Sequence, residues 1–215
     1  DLELFSPRKR GPLNLPGLAP GDFVAGFTGA HGIANGLGAV LDAAAELKRR
    51  GRRDIKCVLV GDGNQKDTLI ARTRSEGLDN CLFFPPVKKT EIARITASFD
   101  CGLQILADVP AFYYGTSPNK FFDYLASGLP VVNNYPGWLA ELIEAHRCGV
   151  VVPPRSPEAF ADALVRLADD PAGRRAMGAA ARRLGEAEFS RARLANEFAA
   201  ALEACAPGQT GTAPS

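Results

Sequence analysis

Residues 100–134 read "DCGLQILADVPAFYYGTSPNKFFDYLASGLPVVNN". The segment begins and ends with a short apolar run, and a polar, proline-containing loop and an amphipathic stretch lie between the two runs. Short apolar runs bounded by Gly, Pro or Asp are typical of buried strands, whereas apolar residues spaced by three or four predict a helix. The segment therefore predicts a strand, a helix and a second strand.

The same alternation continues on both sides of this segment. The strand candidates are "FVAGFTG" (23–29), "IKCVLVGDG" (55–63), "NCLFFPP" (80–86), "DCGLQIL" (100–106), "LPVVNN" (129–134) and "CGVVVPP" (148–154). Helical patterns lie between them near 37–50, 65–77, 88–98, 118–127 and 136–146. Strands that alternate with crossover helices form a parallel sheet, because parallel neighbours need a long, right-handed connection. The predicted class is α/β, a doubly wound parallel sheet of Rossmann-like type.

Three consecutive helices are predicted after the last strand. Ser156 and Pro157 form a favourable helix start, with a capping hydroxyl followed by proline at the first helical position. The predicted organisation is an interdomain linker at 1–22, one domain at 23–204 and a disordered tail at 205–215. The chain begins without an initiator Met, and we expect it to be a piece of a longer protein.

Composition excludes several classes of partner. The 25 Lys plus Arg residues balance 24 Asp plus Glu residues, so no broad field attracts nucleic acid or an anionic membrane. The five cysteines lack CxxC spacing, and four of them lie in apolar runs, which predicts reduced core thiols in a cytosolic protein. His31 and His146 are far apart and no DxD motif occurs, so we expect no metal site.

Ligands of open α/β sheets bind outside the carboxyl ends of the strands. The first strand exits into "GFTGAHGIANGLG" (26–38), where Gly29 and Gly32 permit close approach of a phosphate and His31 and Asn35 offer polar groups. The loop contains neither GxGxxG nor GxxxxGK[ST], so an ordinary tight turn is an equal alternative, with His31 as a solvated loop residue.

The next two exits add weaker candidates. Gly61 and Gly63 flank Asp62, which forms a tight turn or borders a ligand. Pro86 and Val87 follow the third strand in an extended segment that suits a flat base.

The "SPNK" loop gives the strongest local signal. Ser117 is predicted as the N-cap and Pro118 as the first helical residue, with Asn119 and Lys120 in the first turn. A lysine opposes the helix dipole at this position, and a bound phosphate would offset that cost. The alternative is a solvated surface lysine. Asp123, one turn later, suits the hydroxyls of a ribose.

Taken together, several motifs resemble one known family. They are "VGDG", "SPNKFFDYLASGLPVV", "GVVVPP…PEAFADAL", "DDPAGRRAMGAAARR" and "EFSR", and they span about residues 23–204. They resemble the C-terminal, donor-binding domain of family-4 (group 1) retaining glycosyltransferases of the GT-B fold. The "GAHGIANGL" and "SPNK" segments are most similar to bacterial enzymes that transfer N-acetylated sugars in surface-polysaccharide assembly.

The resemblance implies a nucleoside-diphosphate-sugar donor, UDP-linked, and a glycan or lipid-linked acceptor held by an N-terminal domain that this chain lacks. It implies no metal or other cofactor, no nucleic acid, a cytoplasmic location at the inner face of the membrane, and membrane association only through the missing domain. The family commonly places one Glu on the donor sugar and a second, eight residues later, on the ribose. Here Gly115 and Asp123 occupy those positions, so the catalytic residues stay unassigned.

Two other functions remain open at this stage. A nucleotide-sugar epimerase would use the same double-Rossmann architecture but needs acids and bases near the sugar. Asp108 is the nearest such group, and a solvated loop position is its simpler interpretation. A non-catalytic nucleotide-binding module is the second alternative.

Overall fold

The computed structural model describes residues 1–205. Six parallel strands form one sheet in the order β3-β2-β1-β4-β5-β6, which confirms the predicted doubly wound α/β class. The order reverses between β1 and β4, and such switch points are where ligands bind in open α/β sheets. The strands are β1 Phe23–Thr28, β2 Ile55–Val60, β3 Cys81–Phe84, β4 Cys101–Gln104, β5 Val131–Asn133 and β6 Gly149–Val151.

Five helices connect the strands and three follow the last one, as the sequence predicts. The Oγ of Ser156 accepts a hydrogen bond from the amide of Ala159, which confirms the predicted cap of the first terminal helix. The helices are α1 Gly38–Arg49, α2 Lys66–Ser75, α3 Lys89–Ala97, α4 Asn119–Ala126, α5 Trp138–His146, α6 Pro157–Asp169, α7 Pro171–Glu188 and α8 Arg191–Cys205.

Helices cover both faces of the sheet and bury two apolar layers. Leu41 of α1 and Phe160 of α6 belong to one layer. Phe121 of α4, Leu139 of α5 and Ala181 of α7 belong to the other. Burial on both sides explains why the strands read as continuous apolar runs.

Tyr124 fixes α4 against the end of β1. Its hydroxyl accepts a hydrogen bond from the amide of Thr28 at 3.2 Å and donates to the carbonyl of Leu103 at 3.4 Å. The ring lies over Gly102, where a methyl group would be 2.4 Å from it. The helix that begins near "SPNK" is therefore held rigidly at the carboxyl ends of β1 and β4.

Residues 1–22 pack on the domain surface. Phe5 is buried, and its carbonyl accepts from the Arg182 guanidinium at 3.2 Å. Arg10 donates to the carbonyl of Phe99 at 2.8 Å. An interdomain role for this segment stays a prediction. The predicted tail at 205–215 lies, apart from Cys205 at the end of α8, outside the described residues.

The cysteines follow the prediction from their sequence context. Cys57, Cys81, Cys101 and Cys148 are free and buried, and Cys205 is exposed. Within residues 1–205, the helices are all too short or too polar to cross a membrane.

Candidate functional site

The exits of β1, β2 and β3 lie side by side. Thr28 pairs with Val60, and Val60 pairs with Phe84. The ladder continues one residue further, because the amide of Gly29 donates to Val60 and that of Gly61 donates to Phe84, at 3.0 and 3.1 Å. Three loops that are distant in sequence therefore meet at one edge of the sheet.

A cleft of about 360 Å³ opens where these loops meet. Four residues predicted from the sequence line it together, namely Gly29, Gly61, Pro86 and Val87. Ala30, Val60, Asp62 and Ile92 complete the lining. The walls are mainly apolar and backbone groups border them, which suits a flat heterocycle.

Glycines allow the first two loops to interlock. Gly61 has φ +149°, and a methyl group there would lie 1.9 Å from the carbonyl oxygen of Gly29. Gly63 has φ +157°, and a methyl group there would lie 2.6 Å from the backbone of His31. Gly32, by contrast, has open space around it and a negative φ of −104°. Positions 61 and 63 therefore require glycine, because the backbone of the neighbouring loop leaves no room for a Cβ.

His31 holds the two loops together through its backbone. Its amide donates to Asp62 at 2.7 Å, and its carbonyl accepts from Gln65 at 2.9 Å. The imidazole is fully buried between the rings of Phe27 and Phe83, and its two nitrogens have no partner among residues 1–205. Burial lowers the pKa of His31, with the positive charge of Lys66 adding to the effect.

The buried imidazole differs from the solvated loop position considered above. It also does not reach the surface of the cleft, so direct contact between the His31 side chain and a ligand stays a prediction.

Lys120 joins the start of α4 to the loop after β1. Its Nζ donates to Oδ1 of Asn35 at 3.0 Å and lies 4.8 Å from the centroid of the Phe27 ring. Asn35 is oriented in turn by donating to the carbonyl of Ala30 at 2.8 Å. The lysine stem passes over Gly29, where a methyl group would lie 3.1 Å from Cε. Gly29, Asn35 and Lys120 are therefore neighbours, as the predicted site requires.

Burial lowers the pKa of Lys120 to about 8, and no other cause contributes. The half-buried ammonium group of Lys120 is paired with an amide oxygen and a ring face, and among residues 1–205 it has no compensating anion. The chemistry of this position favours an anionic ligand over the solvated surface lysine.

The start of α4 corrects one prediction. The helix begins at Asn119, and Pro118 rather than Ser117 is the N-cap, with φ −77° and ψ 123°. Proline keeps its predecessor extended, so the Ser117 side chain lies one residue too early to cap. The amide of Phe121 donates to Pro118 at 3.1 Å, whereas those of Asn119 and Lys120 have no partner within residues 1–205. Two amides thus remain for a ligand.

Asp123 lies on the half-buried side of α4. Burial raises the pKa of its carboxyl group, and the charges of the Asp1 amino group, Lys89 and Arg191 oppose that rise. These neighbours place Asp123 near the amino terminus and the first residues of α3 and α8. Its contact with a ribose stays a prediction.

The sequence analysis missed Phe27 as a residue of the site and interpreted Asp108 as a solvated loop residue. Phe27 supplies the ring beneath Lys120, and no local pattern indicates that contact. Asp108 accepts from the Tyr113 hydroxyl and pairs with Arg155, whereas the sequence favours a solvated loop position. Arg155 is distant in sequence, so its contact with Asp108 leaves no signal in a local pattern.

Comparison with known proteins decides the family. Residues 22–170 match the family model described as "Glycosyl transferases group 1". The chain belongs to the group 1 glycosyl transferases. It is 30% identical over 174 residues to alpha-D-kanosaminyltransferase from Streptomyces kanamyceticus, covering 80% of this chain and 43% of that protein. It is 31% identical over 181 residues to D-inositol 3-phosphate glycosyltransferase from Arthrobacter sp. strain FB24, covering 82% and 41%.

This group 1 chain therefore spans less than half the length of these two relatives. Solved structures share its fold. Sucrose-phosphate synthase from Thermosynechococcus elongatus has a TM-score of 0.79 at 21% identity and covers 95% of this chain and 50% of that one. Anabaena HepE in complex with UDP-glucose has a TM-score of 0.75 at 18% identity, covering 95% and 55%. WaaG, a glycosyltransferase involved in lipopolysaccharide biosynthesis, has a TM-score of 0.69 at 19% identity, covering 92% and 54%.

Proposed function

We propose that this chain is the donor-binding half of a retaining glycosyltransferase that moves a UDP-linked, N-acetylated sugar to a glycan or lipid-linked acceptor in surface-polysaccharide or lipopolysaccharide synthesis. The observation that carries the proposal is the position of Lys120. Its ammonium group lies between Asn35 and Phe27 beside a cleft that suits a base.

In this proposal the donor lies across the carboxyl ends of the strands. Its base occupies the cleft lined by Pro86 and Val87, and its diphosphate lies against Gly29 and Lys120. The free amides of Asn119 and Lys120 add the positive end of the α4 dipole. Asp123 accepts from the ribose hydroxyls. The complex of HepE with UDP-glucose supports a nucleotide-sugar donor on this fold.

Transfer breaks the bond between the anomeric carbon and the diphosphate oxygen, and negative charge grows on the departing diphosphate. Lys120 and the preorganised amides stabilise that charge, which is the electrostatic mode of catalysis. The proposal places this neutralisation on protein groups rather than on a divalent cation. Within residues 1–205, no three His, Cys, Asp or Glu side chains are grouped to hold one.

The acceptor lies in the part of the protein that this chain lacks. The two relatives extend well beyond the matched segment, which covers 41–43% of their length. We assign the acceptor, and contact with the inner face of the membrane, to that N-terminal domain. A cytoplasmic location agrees with four buried free thiols. The similarity in fold to WaaG, a glycosyltransferase involved in lipopolysaccharide biosynthesis, supports a role in surface-glycan synthesis.

Product analysis of the two-domain protein tests this function. The protein is incubated with candidate UDP-sugars and a glycan or lipid-linked acceptor, and both the acceptor and the nucleotide sugar are examined. Glycosylated acceptor with retained anomeric configuration is expected. Formation of an epimerised nucleotide sugar contradicts the transferase function. So does a donor that stays unchanged with every acceptor tested, if the protein still binds UDP.

A further inference from the structure

A second charged group occupies the same edge of the sheet, after β6. The Nε of Arg155 lies 2.5 Å from Oδ2 of Asp108. The other oxygen of Asp108 accepts a hydrogen bond from the hydroxyl of Tyr113. Asp108 is thus shared between two partners, and its side chain is only 26% exposed.

The Arg155 side chain is held at one atom and free at the others. Its two Nη groups make no hydrogen bond within the described part of the chain, and the side chain is 79% exposed. The ion pair holds Nε beside Asp108, and the exposed side chain leaves both Nη groups open to a ligand. Two parallel N–H donors in one plane match a carboxylate.

The backbone of Arg155 adopts a strained, left-handed conformation. Its φ is +53°, and Arg147 is the only other non-glycine residue with positive φ among residues 1–205. The left-handed region disfavours side chains with a Cβ, and glycine would occupy it without strain. Strained backbone conformations cluster at functional sites.

Aromatic stacking and a buried hydrogen bond hold Tyr113, the second partner of Asp108. The Tyr113 ring stacks on Tyr135 with centroids 6.0 Å apart and an angle of 16° between the planes. The Tyr135 hydroxyl accepts from Nε2 of Gln104 at 3.0 Å, and both of these side chains are buried. This support orders the Asp108 side of the pair, whereas an ion pair with two mobile partners contributes little.

The ion pair lies close to the loop that holds Lys120. The loop that carries Asp108 is joined to the loop after β1, because the amide of Ala107 donates to Ala34 at 2.9 Å. Asn35, next to Ala34, holds Lys120. Along the carboxyl ends of the strands, the base cleft lies at β3, β2 and β1, and Lys120 lies between β1 and β4. Arg155 lies further along in the same direction, after β6.

From this geometry we infer that Arg155 binds a carboxylate on the donor sugar, so that the donor is a UDP-linked uronic acid. The inference rests on the proposed function and narrows its donor class. A carboxylate on the sugar ring is compatible with an N-acetyl group on another carbon. Asp108 and Tyr113 act as positioning residues that hold the guanidinium in place.

The test compares two donors that differ at one carbon, UDP-glucose and UDP-glucuronic acid. Their dissociation constants are measured by NMR titration of this chain, with UDP alone as the reference. We expect UDP-glucuronic acid to bind about tenfold more tightly than UDP-glucose, the effect of one charge-assisted contact. Arg155→Gln removes this preference and leaves the affinity for UDP and UDP-glucose unchanged.

Two variants separate recognition from stability. Arg155→Gly relieves the left-handed backbone, so the melting temperature stays equal or rises while the preference for glucuronate is lost. Arg147→Gln is the matched control. Arg147 is also exposed with φ +51°, but it precedes β6 and therefore lies at the amino ends of the strands, away from the proposed donor site. It should leave both affinities unchanged.

The outcomes distinguish the inference from the function on which it rests. UDP binding with equal affinity for the two sugars, or a glucuronate preference that survives Arg155→Gln, overturns the Arg155 inference alone. Absence of UDP binding to the loops around Lys120 overturns the donor site and the inference together.

Discussion

The Nζ of Lys120 lies 3.0 Å from Oδ1 of Asn35, which is 85 residues earlier in the chain. This contact joins the start of α4 to the loop after β1 at the switch point of the sheet. The amide oxygen orients the ammonium group but does not neutralise it. The local structure therefore favours a negatively charged ligand at this position.

Lys120→Ala should weaken UDP binding by roughly ten- to a hundredfold, because one charge-assisted contact is lost. The melting temperature should stay equal or rise, since the variant removes a half-buried charge. Calorimetric titration and thermal unfolding of this chain or the two-domain protein measure the two effects. Lys56→Ala, in a partly buried lysine near the amino end of β2, is the control and should leave UDP affinity unchanged. Unchanged affinity in Lys120→Ala contradicts the diphosphate site.

UDP affinity should fall as the pH rises through the pKa of Lys120, which is about 8. Bound diphosphate favours the protonated amine, so binding takes up a proton above that pH. We expect UDP to bind about tenfold more weakly at about pH 9 than at about pH 7. The Lys120→Ala variant should flatten this profile, and a wild-type profile without a fall above pH 8 would count against the assignment.

Lys120 should also affect the pH dependence of folding stability. Its pKa is about 8 in the folded chain and 10.5 ordinarily, so the unfolded chain binds more protons between these values. The contribution of Lys120 to the free energy of unfolding therefore increases from about pH 8 to about pH 10.5 and is least favourable below pH 8. Denaturant unfolding of the wild type and Lys120→Met across this range measures the difference. A difference that is independent of pH contradicts the lowered pKa.

Gly61→Ala should destabilise the domain and distort the cleft. Its methyl group would lie 1.9 Å from the carbonyl oxygen of Gly29, and φ is +149°. A cost of about 1–3 kcal/mol is expected from backbone strain alone. Gly32→Ala, in the neighbouring loop with open space and negative φ, is the control for the free energy of unfolding. Equal stability of the two variants would show that the loops do not interlock.

The chain by itself should fold but should not transfer sugar. It contains a complete six-stranded sheet but covers only 41–43% of its relatives, so the proposed acceptor domain is missing. The assay combines purified chain, UDP-sugar and acceptor, with the two-domain protein as the positive control. Turnover by residues 1–215 alone contradicts the assignment of the acceptor to another domain.

The sequence predicts the fold well because its signals are local. Apolar runs ending in Gly or Pro mark each strand, and the Ser156 cap follows from neighbouring residues. The clustering of Gly29, Gly61 and Pro86 was also predictable, because parallel strands end at one edge.

Contacts between distant residues were not predictable in this way. The packing of Phe27 under Lys120 and the Asp108–Arg155 pair depend on how loops of different strands meet. The buried position of His31 depends on Phe83 across the sheet. The Ser117 cap failed for a local reason, since proline at 118 remained extended and became the N-cap itself.

The most direct test of the donor site is an NMR titration of this chain with UDP. We expect saturable shifts of the Gly29, Asn35, Gly61, Val87 and Lys120 amides, with an affinity in the micromolar to millimolar range, on the order of −4 to −8 kcal/mol. Amides at the amino ends of the strands should not move. If none of the five loop amides shifts at millimolar UDP, or if shifts cluster elsewhere, the proposed donor site is wrong.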